Sequence, residues 1–261
     1  MAHSPAKAHR SRVLAAREAN QRAAGELRTG GTEFERHMMV LQNHRMRLSQ
    51  IQSDENKAVF KREALLEYSD YLDGVLEADA GGQDEVVTTV MVWAIDAGQY
   101  EPALILAGYV LRHDLVMPDR FKRTTGCLIA EELAEAALKA QSVGSEFDAT
   151  VIDRAIELTT EQDMPNEVRA KLHLAAGRAV LRSATEDAPP EVEVLVACVG
   201  NLKRAIELHP ACGGKKDLER AERLLKKQTA AATAAAAPSD ATNAAADSSQ
   251  PAKSAQDNAG G

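Results

Sequence analysis

Between residues 33 and 67 the chain contains neither glycine nor proline. An uninterrupted helix over this run would span about 50 Å at about 1.5 Å per residue. Phe34, Met38, Leu41 and Leu48 fall on four- and three-residue spacings, with Arg45 interrupting the seam. The seam continues through Val59 and Leu66, with Ile51 and Leu65 beside it. A long helix with so narrow an apolar stripe needs a partner. Two partners suit it. One is a second protomer, which makes Phe34, Met38, Leu41 and Leu48 the oligomerisation residues of a coiled-coil homo-oligomer. The other is the chain's own C-terminal helices. His37 and His44, one heptad apart, flank this seam and are not read as metal ligands.

Aromatic residues make up only 3% of the chain, which disfavours a sandwich or barrel, whose strands favour aromatic and β-branched side chains. Alanine, leucine, glutamate and arginine dominate instead, and these are strong helix formers. The expected class is all-α. No apolar run approaches the length of a membrane span. The N-terminus is polar and basic without an apolar signal region, so the expectation is a non-secreted, cytoplasmic protein with no membrane partner. Three cysteines without CxxC spacing fit a reducing compartment and no cysteine-based metal site.

Breakers divide the rest. Residues 1–11 are expected to lack order, followed by a basic helix over 11–27 and a break at 28–31. Thr32 is a candidate N-cap. Gly74 and the Ala80-Gly81-Gly82 stretch read as the next breaks. Asp84 is placed to cap a helix through Ile95 that Gly98 closes. A further helix runs to Arg112, with Pro102 in its first turn. After Met117-Pro118-Asp119 a helix ends near Lys139, and four more are expected over 149–161, 166–182, 191–208 and 216–227. Gly98-x-Tyr100-x-x-Ala103-Leu104 and Ala205 to Pro210 look like tetratricopeptide chemistry, although no 34-residue period repeats, so the block reads as a stack of antiparallel helical hairpins. Alanine supplies 14 of the last 33 residues and large apolar side chains none, so 229–261 is expected to be a disordered tail. The expected units are a basic arm (1–31), a long helix with its connector (32–80), a hairpin domain (84–227) and the tail.

Charge is unevenly spread. The formal net charge is -8, yet residues 1–67 carry 12 Lys+Arg against 8 Asp+Glu. Lys7, Arg10, Arg12, Arg17, Arg22 and Arg28 face only Glu18 and Glu26 in the first 28 residues. Such a segment suits DNA phosphates through salt-sensitive counterion release; a solvated basic helix is the plainer reading. Arg120, Lys122 and Arg123, with Phe121, precede a helix start and form a second candidate contact for an anion or an acidic partner, against local pairing with neighbouring carboxylates. No phosphate-binding loop, H-E-x-x-H or G-x-S-x-G occurs. Glu131, Glu132 and Glu135 are the candidate carboxylates for a Mg²⁺-dependent nuclease, set against an ordinary solvated helix face. The residues themselves assign no catalytic group, metal ligand or cofactor.

The text "RVLAAREA", then "QIQSDENKAVFKREALLEYSDYLDGVL", then "VVTTVMVWAIDAGQYEPALILAGYVLRHDLVMPDRFKRTTGCLIAEELAEAAL" resembles the small terminase subunit of temperate tailed phages with cohesive-end genomes, the GpM type, over roughly residues 9–227. The densest match lies at 90–125. The resemblance implies a cytoplasmic packaging protein of the infected bacterium that oligomerises, binds double-stranded viral DNA near its packaging site, and recruits and regulates the large terminase subunit. The family is also labelled a terminase endonuclease subunit, which implies Mg²⁺ only if the nuclease is intrinsic. Without a nuclease or ATPase motif the label is read as activity of the holoenzyme, and a protein-binding adaptor without DNA affinity is the remaining alternative. Many small terminases begin with a compact helix-turn-helix; residues 1–31 offer one basic helix, too short for that pair.

Overall fold

The computed structural model describes residues 4–21, 32–118, 122–184 and 188–236. Among them lie eleven helices and no strand. They are α1 (Pro5–Asn20), α2 (Thr32–Gln50), α3 (Asp54–Leu65), α4 (Ser69–Ala78), α5 (Glu85–Asp96), α6 (Tyr100–Arg112), α7 (Thr125–Ser142), α8 (Ala149–Leu158), α9 (Asn166–Ser183), α10 (Val192–Leu208) and α11 (Lys215–Ala236). The all-α class is as expected.

The single helix expected over 33–67 is instead two helices. α2 stops at Gln50, and Ser53 restarts the chain by accepting a hydrogen bond from the Asn56 amide at 3.4 Å. Asp54 and Glu55 then occupy the first turn of α3, where the helix dipole favours acids. Serine followed by two acids punctuates a helix without any glycine or proline.

α5 is the centre of the larger core. Every residue from Val86 to Ile95 is buried, so this helix is surrounded rather than one-faced. Asp84 caps it as expected, its Oδ1 accepting from the amides of Val86 (2.9 Å) and Val87 (3.2 Å). Gly98 follows with a φ of +71°, the left-handed turn that ends α5 and starts α6. Pro102 sits in the first turn of α6, where no intrahelical donor is lost.

A second apolar cluster is built by Leu195, Cys198 and Leu202 of α10 with Leu174 and Leu181 of α9 and Ala221 and Leu224 of α11. α9 is the shared wall, because its Val168, Leu172, Ala175 and Ala176 belong to the first cluster. α11 outruns its expected end near Lys227 and continues to Ala236. The first residues of the segment expected to lack order are thus helical. Alanine is the strongest helix former, so a helix already nucleated by packing extends through an alanine run.

Candidate nucleic-acid interface

The basic N-terminal segment is a docked helix. α1 begins at Pro5, earlier than the helix expected from residue 11. Proline suits a first helical turn because its φ is preset and its missing N–H costs no hydrogen bond there. One side of α1 carries Ser11, Ala15 and Ala19, all buried. These small residues let α1 lie close on α4, its main neighbour. Gly74, read from sequence as a break, is inside α4 at this crossing. A Cβ built there would collide with the Arg12 carbonyl and lie 2.9 Å from the Ala15 Cβ.

α1 is also tied to the start of α2. The Glu18 carboxylate accepts from the amides of Glu33 (3.2 Å) and Phe34 (3.3 Å), two donors that have no acceptor within their own helix. The Ser11 hydroxyl donates to Glu33 Oε2 at 2.9 Å, and Arg36 bonds both Glu33 and Ser11. Burial pushes the Glu33 carboxyl up, but the hydrogen bonds from Arg36 and Ser11 outweigh it and hold the group below its ordinary value. His37 Nδ1 donates to the Glu33 carbonyl (2.8 Å) while its Nε2 accepts from Arg36 (3.2 Å). Burial, with Arg36 alongside, depresses the His37 pKa, so the ring is neutral.

With that side committed, α1 turns its other side outward. Arg10 and Arg17 lie seven residues apart on the exposed stripe, about 10 Å along the axis. Val13 stands between them and Lys7 flanks them, all three cations being exposed and making no ion pair with the described residues. Arg12 leans toward the α4 side and pairs with Glu77 at 3.9 Å. Arg22 and Arg28 lie outside the described residues.

The second expected contact is divided. Arg123 is held by Glu131, Nε to Oε2 at 2.9 Å, and Thr124 caps α7 by accepting from the Cys127 amide. Lys122 is exposed, and Arg120 lies outside the described residues. The three carboxylates singled out on α7 are engaged separately. Glu131 holds Arg123, Glu135 holds Lys171 at 3.0 Å, and burial with nearby Asp96 raises the pKa of Glu132. Among the described residues no group of three or more histidines, cysteines or acids converges as a metal site. Nor, among them, is any helix long and apolar enough to cross a membrane.

Phe34 and Leu41, expected at an interface between protomers, are buried in the chain's own core. Met38 and Leu48 are half-buried against it. His44 lies beside them, its Nδ1 2.8 Å from the Tyr68 hydroxyl. The opposite side of α2 is where apolar groups are exposed, Met39 at 64% and Met46 at 59%. The basic character of α11 is hidden in sequence, because a charge count over residues 68–261 buries its Lys-Lys pairs among many acids.

Fold and site together define an all-α protein that presents a cationic helix face. The model of the family described as the phage small terminase subunit matches residues 38–167. The chain is also 40% identical, over 223 residues, to the "Terminase, endonuclease subunit" of Escherichia phage P2, covering 85% of this chain and 86% of that one. No solved structure matches significantly. The chain belongs to the phage small terminase subunit family, and so to the apparatus of phage genome packaging.

Proposed function

We propose that the protein is the DNA-contacting adaptor of a packaging complex: it binds duplex viral DNA near the packaging site and recruits and regulates the large terminase subunit. The observation that carries this reading is the outward face of α1, where Arg10, Arg17 and Lys7 are exposed and make no ion pair with the described residues, on a helix that is itself docked against α4. Cations carried on a docked helix meet phosphates with their backbone already ordered, which lowers the entropic cost of association. The contact is expected to be independent of sequence and strongly dependent on salt.

Titrating labelled duplexes into the full-length protein across a salt series tests this. A Lys7→Gln/Arg10→Gln/Arg17→Gln variant is expected to bind every duplex more weakly, with the slope of log affinity against log salt flatter by roughly 2–3. Unchanged affinity and slope would remove α1 from the contact. Self-association, in this reading, uses the exposed side of α2 around Met39 and Met46, because Phe34 and Leu41 are committed within the protomer. A Met39→Glu/Met46→Glu variant is then expected to lower the mass measured by light scattering.

The name of the phage P2 relative includes an endonuclease. In this chain a cation neutralises Glu131 and another Glu135, so we assign cleavage to another part of the packaging complex. Mg²⁺-dependent cleavage by the purified chain, abolished by Glu131→Gln, would reverse that assignment.

A further inference from the structure

We infer that the outward face of α11 is a second surface for duplex phosphates, distinct from α1. This inference shares with the proposed function only the premise that the chain binds DNA. Residues 215–228 carry six Lys+Arg against three Asp+Glu, a local balance of +3 in a chain of formal net charge -8. The helix sorts these charges by face. Ala221 and Leu224 are buried, and Leu218 and Leu225 pack beside them on the second cluster. Two of the three acids are spent on neighbouring helices: Asp217 pairs with Arg178 of α9 at 2.8 Å and Glu222 with Lys203 of α10 at 3.0 Å. Arg220 reaches back to the Ala184 carbonyl at 2.8 Å.

Exposed on the outward side are Lys215, Lys216, Arg223, Lys226 and Lys227, with Glu219 the acid beside them. Lys215, Lys216, Arg223 and Lys226 make no ion pair with the described residues. The row from Lys216 to Lys227 runs about 16 Å along the axis, long enough to meet several phosphates of one strand. Beyond Gln228, which donates to the Pro190 carbonyl at 3.3 Å, the helix carries only small side chains, Thr229, Ala230 and Ala231 first, which let a broad rod approach closely.

The chemistry of this face selects among polyanions. Protein interfaces are depleted in lysine and anchored by aromatic residues, methionine or arginine in a desolvated centre. An anionic membrane surface would call for large apolar side chains opposite the basic ones. The outward face of α11 has four lysines, one arginine and no large apolar group. Hydrated point charges in a row are what sequence-independent phosphate tracking uses. α11 packs on α9 and α10, whereas α1 packs on α4 and α2, so the two cationic faces belong to different parts of the stack.

The test uses the full-length protein with Lys216→Gln/Arg223→Gln/Lys226→Gln beside the α1 variant described above. Glutamine keeps helix propensity, and circular dichroism checks that both variants fold. The α11 variant is expected to lose on the order of 10- to 100-fold in duplex affinity near physiological salt, with the salt slope flatter by roughly 2–3. Each variant reports on its own surface, so loss in the α11 variant alone sustains this inference while removing α1. Wild-type affinity and slope in the α11 variant overturn the inference even if the α1 variant fails to bind. The same holds if the α11 variant keeps duplex binding but no longer associates with the large terminase subunit, which would make the face a protein contact.

Discussion

Two glycines in helices of this protein make opposite demands. Glycine inside a helix ordinarily costs about 0.5–1 kcal/mol relative to alanine. At Gly200 of α10 a Cβ would meet nothing within 4 Å, so Gly200→Ala is expected to stabilise the protein by roughly that amount. At Gly74 the obstacle is the Arg12 backbone, which cannot rotate away as a side chain can. Gly74→Ala is expected to cost roughly 1–3 kcal/mol and to push α1 off α4. Urea denaturation of the two variants checks both signs. From sequence alone the two positions look alike, and Gly74 read as a helix break. Its role exists only where α1 crosses, so local propensity carries no trace of it. The outward cations of α1 are different. Lys7, Arg10 and Arg17 were legible because surplus charge is written in the sequence itself, whereas the pairing of Arg12 with Glu77 depends on the crossing and was not.

Helices were read well where capping chemistry is local. Asp84 before α5, Gly98 after it and Pro102 in α6 stand where their side chains and backbone preferences predict. The break between α2 and α3 is written as Ser53-Asp54-Glu55, a cap and two acids, and a run without glycine or proline does not guarantee a continuous helix. The extension of α11 is the converse case: an alanine-rich segment that cannot build a core can still prolong a helix that another segment anchors. Within that extension Thr229, Ala230, Ala231, Ala232 and Thr233 are exposed, and the hydroxyls of Thr229 and Thr233 bond carbonyls of α11 itself. Ending the chain after Gln228 is therefore expected to leave the thermal midpoint within about 2 °C while lowering the far-ultraviolet helix signal, since surface changes of this kind are worth about 0.5 kcal/mol or less.

Over the whole molecule, pH acts through histidines that folding keeps neutral. Burial depresses the pKa of His37, His44 and His173, with Arg36, Arg47, and Arg169 with Arg204, respectively, adding to the effect. The unfolded chain takes up these protons near pH 6.5, the folded chain only lower. Stability from these groups is therefore complete above about pH 6.5 and declines as pH falls through that value toward the depressed folded pKa values. The half-buried Glu132, its pKa raised by burial and nearby Asp96, works in the opposite direction, but in the carboxylate range further down. Urea midpoints are expected to fall between pH 7.5 and 5.5, and a His37→Gln/His44→Gln variant is expected to lose much of that dependence. A flat profile would show that the rings are solvated.

The carboxylate of Glu18 across the Glu33 and Phe34 amides, in the first turn of α2, makes isotope exchange a clock for the N-terminal helix. Glu33 and Phe34 donate their N–H groups to a side chain of another helix, so those protons stay shielded only while α1 is seated. Their deuterium uptake measures how often α1 lifts away, and Glu18→Gln should quicken it. A duplex lying along the outward face of α1 should slow it, reporting occupancy from beneath the helix without a label on its surface.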